Sequence, residues 1–264
     1  MDHIELTQVF RDLALQAGDA IMEIYSNANV SIETKSDASP VTNADKAADA
    51  IIYNGLKKAF PDVAIVTEEK LESHYLTTEK FILVDPLDGT KEFINKTGEF
   101  TVNIAYIQNG SPTHGVVYAP ASKRLFSTDH NSKSYECVES SEKPGQIINK
   151  PLRVSVPDTN ALTVVASKSH INTETEEYIA KYSVLNCRNA GSSLKFCLIA
   201  TGEADFYPRL GRTMEWDTAA GHAILVGAGG YVTNLLTKRP LYYGKPNFQN
   251  PFFVAHSRKG LIKY

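Results

Sequence analysis

Two aspartates, Asp85 and Asp88, sit three positions apart in the stretch LVDPLDGTKEF, residues 83–93, and Gly89 and Thr90 follow them directly. Two carboxylates held this close repel each other unless a cation neutralises them. Other acidic positions share one feature with the pair: each flanks a break in regular patterning. Glu68 and Glu69 follow the apolar run 63–66, Asp217 follows Trp216 at the head of WDTAAGHAILVGAGG, and Asp45 heads a helical pattern. An all-oxygen ligand set of this kind suits Mg²⁺, which keeps several waters and is commonly bound together with a substrate phosphate. Each position also has a plain alternative. A Glu-Glu pair can be a solvated surface feature, Asp45 and Asp217 can be helix N-caps, and Asp-Pro-x-Asp-Gly can be a turn. Spacing alone does not choose between them.

The elements that must position these groups are readable in outline. Phe81 to Val84 form a short apolar run that reads as a buried strand, broken by Pro86 and Gly89. Ile4, Val9, Phe10, Leu13, Ala14, Ala17, Ile21 and Ile24 recur at helical spacing. The polar loop KSDASPVTNAD, residues 35–45, ends in capping side chains ahead of a second helix that stops at Pro61. Residues 100–127 read as antiparallel strands with a hairpin turn at Asn109-Gly110. Residues 139–161 carry three prolines and little periodicity, which predicts a subdomain boundary near residue 150. Beyond it, strand-like LTVVAS, helix-like 173–182, SVLNC, helix-like 192–201 and ADFYP alternate. The expected class is therefore α/β, with an α+β N-terminal half (1–150) and an α/β C-terminal half (151–264).

Bulk properties exclude several function classes. The 264 residues are 42% hydrophobic and 22% charged, with a formal net charge of −3. That balance carries no electrostatic footprint for a nucleic acid polymer. Cys137, Cys187 and Cys197 are far apart and form no CxxC pair, so neither a disulfide framework nor a zinc site is expected. Charges at Asp2, Glu5, Arg11, Asp12, Asp19 and Glu23 interrupt the first 25 residues, and no uncharged run approaches the length of a bilayer span. The expected setting is cytoplasmic.

TEE at 67–69, DPLDGT at 85–90 and WDTAAG at 216–221 together resemble the signatures of the lithium-sensitive, Mg²⁺-dependent phosphatase superfamily. That superfamily includes inositol monophosphatases, fructose-1,6-bisphosphatases and 3'(2'),5'-bisphosphate nucleotidases. DGTKEFINKTGEFTVNIAYI, GSSLKFCLIATGEADFYPR and TMEWDTAAGHAIL look like the bacterial bisphosphate nucleotidases, whereas inositol monophosphatases usually follow DGT with Thr-Asn-Phe. Thr67 stands where inositol phosphatases often have glycine, a departure expected to leave the metal site intact.

The resemblance implies a layered αβαβα, inositol monophosphatase-like sugar-phosphatase fold. It implies a small-molecule substrate, 3'-phosphoadenosine 5'-phosphate, hydrolysed to AMP and phosphate in support of sulfur assimilation, with two to three Mg²⁺ ions. Glu68, Asp85 and the carbonyl of Leu87 would hold one ion, and Asp85, Asp88 and Asp217 a second; a third would lie near Glu68. Thr90, hydrogen-bonded to Asp45, would orient the attacking water, and the N–H groups of Gly89 and Thr90 would meet phosphate oxygens. Ser167, His170, Gly191 and Lys195 would contact the nucleoside and 5'-phosphate, with Lys91 and Arg209 as further anion contacts and Trp216 as core. A homodimer and peripheral attachment to the inner membrane are family possibilities, although the sequence holds no anchor segment. The rival readings are an inositol monophosphatase or broad sugar-phosphate phosphatase, a silent nucleotide- or metal-binding regulator, and a structural interaction module.

Overall fold

The computed structural model describes residues 2–27, 31–34, 40–75, 78–139, 146–166 and 172–264. Helix α1 (His3–Ser26) starts at Asp2, whose carboxylate accepts from the Ile4 N–H at 2.8 Å. It buries Leu6, Phe10, Leu13, Ala14, Ala17 and Ile21, while Ile4 lies outside this stripe and is exposed. A short ribbon of β1 (Ile32–Thr34) and β2 (Pro40–Thr42) leads into α2 (Asn43–Ala59). Thr42 caps α2 and Asp45 completes a capping box, its Oδ2 accepting from the Thr42 N–H at 2.8 Å and from Thr42 Oγ1 at 2.6 Å.

A seven-stranded sheet then forms in chain order from β3 (Ala64–Thr67), β4 (Lys80–Asp88), β5 (Thr101–Gln108), β6 (Ser111–Ala119), β7 (Arg124–Thr128), β8 (Ser134–Glu139) and β9 (Ile147–Pro151). Only β3 and β4 pair in parallel; the rest is antiparallel. The hairpin between β5 and β6 closes through Asn109 (φ 50°) and Gly110 (φ 73°), two left-handed residues that suit the twist of a tight hairpin. Strand β4 does not end at Val84 as the sequence suggests. It runs on to Asp88 because a bulge between Asp85 and Asp88 absorbs Pro86, whose missing N–H costs no ladder bond there.

The second sheet is mixed, in the order β11 (Val184–Asn189), β10 (Leu162–Ala166), β12 (Phe206–Arg209), β14 (Phe253–His256), β13 (Tyr231–Asn234). Strands β10, β11 and β12 are parallel, while β14 is antiparallel to both of its neighbours. Around it lie α4 (Thr173–Ile179), α5 (Leu194–Ala200) and α6 (Ala219–Gly227); α3 (Thr90–Ile94) follows β4.

Strand alternation sorts the cores into layers. Ile82, Val84, Val102, Ile104, Val116 and Tyr118 face α1 and α2, whereas Phe81, Leu83, Ala105, Ile107 and Val117 face a central core with α5 and α6. That central core also takes Val165, Tyr207, Phe253 and Ala255 from the second sheet, whose opposite face packs Leu162, Val164, Phe206 and Val254 against Tyr178 and Tyr182. The stack reads helix, sheet, helix, sheet, helix, which is the αβαβα arrangement implied by the motifs. Among the described residues no helix is long and apolar enough to cross a membrane.

Candidate metal centre and cleft

Register explains the first convergence. Because β3 and β4 run in parallel with Thr67 opposite Val84, the next residues of the two strands, Glu68 and Asp85, emerge side by side. The Glu68 N–H donates to the Val84 carbonyl at 3.1 Å, which holds the start of that loop to β4. Asp85 is almost fully buried, and its Oδ1 accepts from the Leu87 N–H at 3.1 Å, tightening the turn around Pro86. Asp217 arrives from the other half of the chain on the loop that precedes α6. There Glu215, wholly buried, accepts from the Gly244 and Lys245 N–H groups at 2.7 and 2.9 Å and pairs with Lys245 Nζ at 2.6 Å. Carboxylate oxygens of Glu68, Asp85 and Asp217 come within 4.8 Å of one another.

Asp88 lies beside this trio without joining it at that distance. Its Oδ2 accepts from the Ser193 N–H at 2.7 Å and from Asn103 Nδ2 at 3.3 Å. Burial pushes the Asp88 carboxyl up to about 6, opposed by Lys195 and Asn103 and reinforced by Glu68. Burial likewise holds Asp217 well above the usual carboxylate range, with the charges of Asp88 and Glu68 adding to the effect. Such a set is costly as bare anions and favourable around a divalent cation. The donors are all oxygen, and the residues present fit a Mg²⁺ site.

Thr90 stands at the same end of β4. Its hydroxyl donates to Asp45 Oδ1 at 3.0 Å, with the Leu87 carbonyl a longer second acceptor at 3.4 Å. Asp45 is therefore both the capping acid of α2 and the acceptor for Thr90. Gly89 has φ +97°, and a Cβ there would meet the Glu99 carbonyl and Phe100 at 3.2–3.3 Å. Neither aspartate is an N-cap. Thr42 holds that position on α2, with Asp45 the third-residue acid of its capping box, and Thr218 holds it on α6, where Asp217 Oδ2 instead accepts from the Met214 N–H at 2.9 Å.

The carboxylates lie on the floor of a cleft of about 370 Å³ that Glu68, Asp88, Gly89, Thr90 and Asp217 help to line. Phe196, Tyr207, Met214 and Trp216 contribute apolar wall, and Lys91, Lys195, Arg209 and Arg212 contribute cations. Lys195 is buried rather than on the surface. Its Nζ donates to the Ala190 carbonyl at 3.3 Å and lies 5.2 Å from the centre of the Tyr207 ring. Burial pushes its ammonium down to about 8, against the pull of Asp88. Arg209 Nη2 donates to the Arg212 carbonyl at 2.9 Å, while its buried Nε has no partner among the described residues. Trp216 is core, as expected, stacked on His74 at 4.8 Å, yet it also borders the cleft.

Gly191 does not line the cleft. A Cβ there would lie 2.2 Å from the Glu99 carbonyl, so close packing accounts for this glycine. Ser167 and His170 lie outside the described residues. Two residues went unremarked in the sequence. Ser193, at the head of α5, joins both acidic loops: its N–H reaches Asp88 and its Oγ donates to the Asp217 carbonyl at 2.6 Å. Asp49, one helical turn after Asp45, accepts from Thr67 Oγ1 at 2.5 Å. Their signals were a Ser ahead of a helical run and an i, i+4 repeat of aspartate, both too common to single out.

Comparison with known proteins supplies the remaining observations. The pattern of the Inositol monophosphatase family matches residues 2–258. The 3'(2'),5'-bisphosphate nucleotidase CysQ of Salmonella typhimurium is 43% identical over 248 residues, covering 91% of this chain and 95% of that protein. The protein of the same name from Haemophilus influenzae is 30% identical, covering 92% and 89%. The crystal structure of CysQ from Bacteroides thetaiotaomicron superposes with a TM-score of 0.82 at 36% identity, covering 97% of this chain and 98% of that one.

Proposed function

Because the chain belongs to the inositol monophosphatase family, we propose that it is a metal-dependent 3'(2'),5'-bisphosphate nucleotidase. It hydrolyses the 3'-phosphate of 3'-phosphoadenosine 5'-phosphate to give AMP and phosphate, a reaction that serves sulfur assimilation. The observation that carries this reading is the meeting of Glu68, Asp85 and Asp217, drawn from the end of β3, from β4 and from the loop before α6, within 4.8 Å. Mg²⁺, as two to three ions, would be held by these side chains with Asp88 and the Leu87 carbonyl, and would supply Lewis-acid activation of water and charge stabilisation of the leaving oxygen.

The chain's own groups complete the chemistry. The Thr90 hydroxyl donates a hydrogen bond to Asp45, which leaves an oxygen lone pair facing an incoming water; as that water attacks, its proton passes to Thr90 Oγ1 while the Thr90 proton passes to Asp45. Thr42 donates twice to the other Asp45 oxygen, which fixes the carboxylate with Oδ1 turned to Thr90. The N–H groups of Gly89 and Thr90 at the start of α3 meet phosphate oxygens, with the Cβ-free Gly89 letting the phosphate approach the backbone. A second phosphate and the nucleoside occupy the rest of the cleft, against Lys195, Arg209 and the apolar walls. The three cysteines are free, which agrees with a cytoplasmic setting.

Phosphate release from 3'-phosphoadenosine 5'-phosphate and from inositol 1-phosphate, each with Mg²⁺ and with EDTA, tests the reading. The bisphosphate is expected to be the better substrate by kcat/KM, and EDTA to abolish turnover. Preference for inositol 1-phosphate would move the assignment to an inositol monophosphatase. Turnover unaffected by EDTA would remove the metal centre.

A further inference from the structure

Asp49 and Thr67 form a buried pair directly behind Glu68, and nothing in the proposed chemistry uses it. Asp49 is four residues after Asp45, so both acids project from the same face of α2 one turn apart. Asp45 accepts from Thr90 on one side, and Asp49 Oδ1 accepts from Thr67 Oγ1 at 2.5 Å on the other. An ionised carboxylate only accepts, so the Thr67 hydroxyl proton must point to Asp49. The oxygen's lone pairs then face the next turn, where the Glu69 N–H approaches at 3.4 Å. Lys70 Nζ stands 3.3 Å from Asp49 Oδ2 and 4.7 Å from the centre of the Tyr53 ring, so the buried acid is charge-compensated.

The main chain of Thr67 is pinned as well. Its N–H donates to Ser73 Oγ at 3.1 Å, and its carbonyl accepts from His74 Nε2 at 2.9 Å. His74 in turn stacks on Trp216, the neighbour of Asp217. Glu68 is thus bracketed by a residue whose side chain and both main-chain groups are all engaged. A glycine at position 67 would lack the hydroxyl on which the Asp49 bond depends.

We propose that Asp49 is a positioning residue for the metal centre, acting through the Thr67 hydroxyl to hold Glu68 in its coordinating orientation. Helix α2 then sets the spacing between Glu68 and Thr90 from two successive turns. The inference rests on Glu68 being a metal ligand, as proposed above. Groups that orient a ligand from behind typically change metal affinity by about 10- to 100-fold when removed.

The test is Mn²⁺ binding to the full chain without substrate, followed by electron spin resonance, beside the thermal unfolding midpoint. Thr67→Val keeps the shape and removes the hydroxyl, and it is expected to weaken Mn²⁺ binding at least about 10-fold. Thr67→Ser restores the hydroxyl and is expected to bind within about two-fold of wild type. Should Thr67→Val fail to fold, Asp49→Leu, which removes the acceptor of the Thr67 hydroxyl, carries the same expectation of weakened binding. A lowered midpoint with unchanged Mn²⁺ affinity would mean a merely structural pair and overturn the proposal. If the unaltered protein itself binds no Mn²⁺, the metal-centre reading fails first and this inference falls with it.

Discussion

The backbone N–H of Ser193 donates to Asp88 Oδ2 at 2.7 Å, across 105 positions of sequence. The bond ties the bulged end of β4 to the start of α5, so the acidic loops of the two halves are held by one residue that no metal need touch. The Ser193 hydroxyl completes the tie by donating to the Asp217 carbonyl at 2.6 Å. Ser193→Ala would cut the second link and leave the first. Ser193 is fully buried, so the orphaned carbonyl is expected to cost about 1–3 kcal/mol of stability. A shift of Asp217 should also raise the Mg²⁺ concentration needed for half-maximal turnover several-fold. Urea unfolding and a Mg²⁺ titration of phosphate release measure the two effects, and wild-type values in both would show that the tie is idle.

Asp88 and Asp217 also oppose the stability of the metal-free protein. Both carboxyls are buried and raised by that burial; the charge of Asp88 adds to the rise at Asp217, and the charge of Glu68 adds to both. Removing one charge while keeping the shape relieves that repulsion. Asp217→Asn is therefore expected to unfold at a temperature a few degrees higher than wild type in EDTA at neutral pH, while losing nearly all turnover in Mg²⁺. Scanning calorimetry in EDTA, paired with the phosphate-release assay, checks both. A lower midpoint in EDTA would mean that the Met214 N–H bond to Asp217 outweighs the repulsion.

How much of this was legible in the sequence follows from the range of each interaction. Asp85, Asp88 and Thr90 share one stretch whose turn formers gather them at a strand's end, and the Asn109-Gly110 hairpin is a two-residue signal, so both were readable locally. The link from Glu68 to Asp85 depends on the parallel register of β3 and β4, which no single stretch encodes; only the joint motif resemblance carried it. The strands Tyr231–Asn234 and Phe253–His256 went unread because each has only four residues and depends on its sheet neighbours. Gly191 carries a constraint that its motif did not reveal: a Cβ there would lie 2.2 Å from the Glu99 carbonyl, 92 positions earlier, so packing by itself requires a glycine.

His222 gives a pH dependence that is separate from the carboxylates. It lies on α6, almost fully buried, with Nδ1 3.0 Å from the Tyr243 hydroxyl. That hydroxyl donates to Thr218 Oγ1 at 3.2 Å, which leaves the ring Nδ1–H as the donor to it. Burial, helped by the charge of Lys245, pushes the imidazole down to about 3. The folded value lies below the unfolded one of about 6.5, so the unfolded chain binds the extra proton in between. Stability from this group is complete above about 6.5 and is lost as pH falls toward 3, with a slope of up to about 1.4 kcal/mol per pH unit. His222→Gln cannot take up that proton. Its unfolding free energy, measured in urea from about pH 7 to pH 4.5, is expected to fall less steeply than that of wild type. Equal slopes for the two proteins would show that His222 is not the group being protonated as acid unfolds the chain.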